Sequence, residues 1–181
     1  MTTYVGLLRG INVGGRNKVP MKDLREVVEG LGHTEVVTYI QSGNVVFDAR
    51  SGAGKEEDVR DELEAAIHQR FGSSIPVVLR THAELVKALK TNPYAAEADA
   101  DGAKVFVLFV SRKPPAAAVQ ALDPNRSPGD EFTVKGREIY LSCPDGIGRS
   151  KLDPAFFKKV GADATVRNVN TVRKLIDLSD R

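Results

Sequence analysis

One order of patterned segments runs twice along this chain, strand, helix, strand, strand, helix, strand, helix, and that repetition limits the fold more than any single motif. Residues 4–8 read as a strand, and Met21, Leu24, Val27, Val28 and Leu31 fall on one helical face that Pro20 starts and Gly32 stops. Residues 36–40 and 45–47 read as strands joined by a hairpin turn at Ser42-Gly43-Asn44. A helix beginning near Lys55 buries Val59, Leu63, Ile67 and Phe71. A strand over 77–79 then leads to Thr81 and Glu84, the capping box of a helix that uses Leu85, Val86 and Leu89.

Residues 93–103, small, polar and alanine-rich, read as a linker between a first unit at 1–92 and a second at 104–181. The apolar run 105–110 opens the second pass. A short helix after Pro114-Pro115, a loop over 123–130, and strands at 132–134 and 138–141 about Lys135-Gly136-Arg137 follow. Asp153-Pro154 starts a helix that Gly161 ends, and a strand near Thr165 precedes a last helix carrying Val172, Leu175 and Ile176. The expected fold class is α+β: two tandem βαββαβ units, each an antiparallel sheet with helices on one face, the second ending in an extra helix.

With 181 residues, 41% hydrophobic and 28% charged, the chain is too apolar for a disordered protein and long enough for one large core or two small ones. A net charge of +2 without any basic run leaves positive potential to local loops. Cys143 stands alone, so no internal disulfide and no cysteine zinc cluster can form; a buried thiol and a reducing cytoplasm are expected. The longest purely apolar run, 105–110, is far too short to cross a bilayer, so no membrane partner is expected.

Four polar stretches punctuated by glycine or turn-forming residues carry the chemistry: Arg9-Gly-Ile-Asn-Val-Gly-Gly15, Gln41-Ser-Gly-Asn44, Gly146-Ile-Gly-Arg-Ser-Lys151 and Arg167-Asn-Val-Asn-Thr-Val-Arg173. Arg9, Arg149 and Arg167 suit two-point binding of a phosphate or carboxylate, and Lys18 and Lys151 add point charge. Gly10, Gly14, Gly15 and Gly148 allow backbone concavities for anions, and Asn12, Ser42, Asn44 and Ser150 add polar donors. Asn168 or Asn170 caps the last helix, whose N-terminus favours an anion beside Arg167. The strand order predicts that the first two stretches meet at one rim and the last two at another, with a cleft between the halves as the expected common site.

Other motifs fail. The glycines of the first loop have neither dinucleotide nor Walker spacing. His33, His68 and His82 sit singly and read as surface residues, with no metal site expected. Ser42 has no adjoining base, Asp145 and Asp153 are the only acid-base candidates flanking the Gly-Arg-Ser-Lys loop, and no cofactor fingerprint is present. Tyr4 and Phe47, on strands one and three, read as core rather than as RNA-stacking aromatics.

The segments Leu7-Leu-Arg-Gly-Ile-Asn-Val-Gly-Gly15, Val19-Pro-Met21, Thr38-Tyr-Ile-Gln-Ser-Gly-Asn-Val-Val-Phe47, Asn92-Pro-Tyr94, Gly146-Ile-Gly-Arg-Ser-Lys-Leu152 and Arg167-Asn-Val-Asn-Thr-Val-Arg-Lys-Leu175 closely resemble a bacterial family, domain of unknown function number 1697. That resemblance implies two ferredoxin-like units and no assigned activity. Its members commonly have Trp where this chain has Val169, which weakens a nucleobase-stacking role there. The favoured reading is a cytoplasmic protein binding a phosphorylated or other anionic small ligand. The alternatives are an enzyme acting on a phosphate-containing substrate and an RNA- or DNA-binding module, the last disfavoured by 6% aromatics and no Trp.

Overall fold

The computed structural model describes residues 1–181. In the first unit, β1 (Thr3–Leu8), α1 (Met21–Gly30), β2 (Thr34–Tyr39), β3 (Asn44–Asp48), α2 (Glu56–Phe71) and β4 (Val77–Thr81) form a sheet in the order β2-β3-β1-β4, every neighbouring pair antiparallel. After α3 (His82–Lys90) and α4 (Ala95–Ala100), the second unit repeats the pattern. It contains β5 (Val105–Val110), α5 (Ala116–Gln120), β6 (Glu131–Lys135), β7 (Glu138–Ser142), α6 (Pro154–Phe157), β8 (Ala164–Asn168) and α7 (Val169–Ser179), in the sheet order β6-β7-β5-β8. This is the ferredoxin-like arrangement twice over.

Strand periodicity explains the first core. Tyr4 and Leu8 of β1, Val45 and Phe47 of β3, and Val77 and Leu79 of β4 alternate onto one face and meet Leu24 and Val28 of α1 and Val59, Leu63 and Ile67 of α2. Tyr4 and Phe47 are core residues, 6.1 Å apart ring to ring. The intervening residues Val5, Leu7, Val46 and Val78 are also at most 1% exposed, so β1, β3 and β4 are buried on both faces, while edge strand β2 is largely exposed. In the second unit Phe106, Leu108, Ile139 and Leu141 pack on Phe156, Phe157 and Val160, with Phe132 edge-on to both phenylalanines of α6. All six residues of β5 are buried, as an unbroken apolar run requires.

The boundaries differ from the sequence expectation. The compact units are Met1–Leu85 with Leu175–Arg181, and Val86–Lys174, so the chain changes unit inside α3 and again inside α7. Residues expected as linker form α4, because alanine is the strongest helix former and Ala98 is buried while Asp99 pairs with Arg173 (2.7 Å). The helix expected from Pro154 to Gly161 is one α-turn followed by a 3-10 turn, Lys158–Val160.

His33 is another correction. It is 3% exposed, stacked 4.7 Å from Phe47, because the end of β3 folds over it.

Candidate functional site

In the first unit, the loop after β1 and the β2–β3 hairpin share one end of the sheet. Leu8 N donates to Gly43 O (2.9 Å) and Arg9 N to Pro76 O (3.0 Å). Asn12, at φ 56, donates through Nδ2 to Val19 O (2.9 Å) and Gln41 O (2.8 Å), and its Oδ1 accepts Val19 N (2.8 Å). This one amide therefore clamps the loop to itself and to the hairpin. Asn44 is fully buried and donates to Tyr39 O (2.9 Å) and Ser42 Oγ (3.1 Å), holding the hairpin turn. Gly43 is indispensable sterically: at φ 85, a Cβ there would lie 2.5 Å from Ile11 Cδ1.

Between the clamps, Val13-Gly14-Gly15-Arg16 closes a two-residue turn, with both glycines at positive φ and a bridge from Val13 to Arg16. It projects Arg16 and Lys18 into solvent beside exposed Val13 and Ile40. Ile40, a β-branched residue at φ 48, stores strain of roughly 1–3 kcal/mol at this end. Of the expected residues, Arg9, Gly10, Asn12, Gly14, Gly15, Lys18, Ser42 and Asn44 are gathered here. Asn12 and Asn44 do so as scaffold.

In the second unit, the gathered loops lie at the end where β5 begins and where β7 and β8 finish. By topology this is the opposite end from the one used in the first unit. Cys143 N donates to Lys104 O (2.9 Å), and the following loop turns at Gly146 (φ 87) into a 3-10 turn, Ile147–Arg149. Its polar interior is satisfied. Ser150 Oγ accepts Leu152 N (3.0 Å), and Lys151 N donates to Ser127 Oγ (3.1 Å), which in turn donates to Asp130 Oδ2 (2.6 Å). The Cys143 thiol is buried, which pushes its pKa up to about 11.

Gly148, Arg149 and Lys151 face solvent, and a Cβ on Gly146 would lie 3.8 Å from Lys104 Nζ, which puts that ammonium against the loop. Asn168 ends β8 and accepts Thr171 N (2.8 Å), capping α7, while the Asn170 side chain lies over Gly102. Arg167, expected to hold an anion by two parallel bonds, lies within β8. It is 7% exposed, donates Nη1 to Thr165 Oγ1 and Val166 O (both 2.8 Å), and burial lowers its pKa to about 10.

Sequence reasoning missed Arg80, the structural counterpart of Arg167. Arg80 pairs across β1 with Val5 as Arg167 pairs across β5 with Val107. Each donates Nη1 to the preceding carbonyl at 2.8 Å, and each precedes the residue that caps the next helix, Thr81 or Asn168. The signal was present as Arg followed by a capping residue in both halves, without enough identity to align them.

Two ferredoxin-like units, each presenting a clamped, glycine-turned loop end with solvent-facing cations, define a tandem α+β protein. The chain belongs to the family described as Protein of unknown function (DUF1697), whose model matches residues 1–140 and so stops before the Gly146–Lys151 loop. The structure of conserved bacterial protein SP0830 from Streptococcus pneumoniae is similar over 99% of both chains, with a TM-score of 0.74 and 24% identity, a likeness of fold. No curated protein sequence matches the chain. No helix is long and apolar enough to cross a membrane, and no three or more His, Cys, Asp or Glu side chains are grouped to hold a metal ion.

Proposed function

We propose that the protein binds a phosphorylated or otherwise anionic small molecule through its basic loop ends, in a reducing cytoplasm that suits its single thiol. The observation that carries this reading is the second unit's end. A loop whose internal polar groups are bonded inward through Ser127, Ser150 and Asp130 turns Arg149 and Lys151 outward, with Lys104 against Gly146. Arg149 offers two parallel donors, Lys104 and Lys151 offer point charge, and the backbone around Gly146 and Gly148 approaches a ligand without side-chain obstruction. The first unit's end offers the same chemistry through Arg16 and Lys18.

Thermal unfolding in the presence of inorganic phosphate, sugar phosphates, nucleotides and a short RNA tests this. A ligand present at a hundredfold excess over its Kd stabilises by about 2.7 kcal/mol, on the order of 5–10 °C for a chain of this size. We expect one class of small phosphate compound to raise Tm, with the rise abolished in the Arg149→Ala/Lys151→Ala double variant and kept in Arg16→Ala/Lys18→Ala. If no phosphate compound shifts Tm, or the shift survives both double variants, the reading is wrong. A response confined to RNA that collapses with added salt would favour the nucleic-acid alternative.

A further inference from the structure

Beside the start of α7 lies a pocket of about 370 Å³, within the size range of small-ligand sites. Leu89, Ala98 and Val169 give it an apolar wall, with Val169 1% exposed. The rest of its lining is Lys90, Asn92, Ala95, Arg173 and the carboxylate of Asp99, which is paired with Arg173. Lys90 stands at the end of α3, and Arg173 one turn along α7 from Val169.

Asn92 supplies the most specific feature. It is only 8% exposed, and its Oδ1 accepts Tyr94 N (3.0 Å). That bond fixes which way the amide points and leaves the Nδ2 donors to the pocket. Arg173 is held by Asp99 (2.7 Å), a carboxylate on a 77% exposed side chain, so an entering anion meets an oriented guanidinium whose existing partner is largely solvated.

We infer that this pocket binds a small carboxylate carrying an apolar body, such as an arylalkanoic or branched aliphatic acid. The carboxylate is received by Asn92 Nδ2, Lys90 and Arg173, and the apolar body packs on Leu89, Ala98 and Val169. The apolar wall disfavours a bare inorganic anion, which would lose hydration against hydrocarbon without compensation. None of these residues belongs to the 144–152 loop, so the inference does not rest on the phosphate-binding proposal.

The test is a titration of the ¹⁵N-labelled full chain, followed by amide chemical shifts, with 3-phenylpropionate, the neutral 3-phenylpropionamide and inorganic phosphate. The carboxylate is expected to move the amides of Asn92, Val169 and Arg173, with the neutral amide binding at least ~10-fold more weakly. Asn92→Asp keeps the oxygen that accepts Tyr94 N but replaces the donor with a charge, and Val169→Trp fills the space; each should abolish the shifts. Should Val169→Trp fail to fold, Asn92→Asp decides. Equal binding of the neutral amide, phosphate moving the same resonances, unchanged binding in a folded Asn92→Asp, or no response up to roughly 10 mM carboxylate would each overturn the inference.

Discussion

His33 carries a buried polar atom with no partner. Its Nδ1 accepts Arg50 N (3.1 Å), which places the neutral ring's proton on Nε2, and Nε2 is sealed from solvent and acceptors alike. Burial lowers its pKa below 6.5, and Arg50 lowers it further, against the opposing pull of Glu62. The unfolded chain therefore takes up this proton more readily than the folded one. Stability is intact above pH 6.5 and falls as the pH drops from there towards the folded-state pKa, by about 1.4 kcal/mol for each unit separating the two values. Urea unfolding of the wild type and His33→Asn at pH 7.5 and 5.5 should show a steeper loss on acidification for the wild type; parallel losses would refute the assignment. Nothing local announced this burial. A single histidine after Gly32 in a polar neighbourhood reads as surface, and only the fold of β3 over it makes it core. Arg80 escaped notice for the same reason, since an arginine in an apolar strand is identified as buried only when the far face of the sheet is known to be covered.

At the scale of the element, the capping chemistry was the most legible part of the chain. Thr81 and Glu84 form the expected reciprocal bonds, Asp153 accepts Phe156 N (2.8 Å), and Asn168, one of two candidates, caps α7. Caps are local, so sequence determines them. Asn168→Ala should cost about 1 kcal/mol by chemical denaturation, with Asn168→Asp near wild type. A loss within error of zero would mean that the β8–α7 junction is held by packing alone. Helix α4 lies in the segment that reads as a linker, because alanines interleaved with acids show no amphipathic period. Its position depends on partners distant in sequence, Arg173 and Asp99 among them.

At the scale of the whole molecule, the strand order followed from the repeated pattern, and with it the pairing of the motif stretches at an end of each sheet. The identity of the clamps did not follow, because an asparagine in a polar loop reads equally as ligand donor or as scaffold. Asn12 and Asn44 are assigned to the second role only by bonds to Gln41 and Tyr39. The unit boundaries were also illegible, since the chain leaves the first unit after Leu85 and returns to it at Leu175. The returning segment is integral to that unit: Leu175 is fully buried, Ser179 Oγ lies 3.1 Å from His82 Nδ1, and Arg181 reaches Asp48 (3.7 Å) and Glu35 (3.8 Å). Deleting residues 175–181 should lower stability by ~3 kcal/mol or more, the scale of losing one buried leucine with its neighbours. An unchanged denaturation midpoint in the truncated chain would contradict this.

That return has a consequence for how the protein is made. Some ninety residues of the second unit are translated between Leu85 and Leu175, which at bacterial or eukaryotic elongation speeds is roughly 5–18 s of synthesis. For all of that interval the first half of the nascent chain waits on the ribosome for its own closing piece.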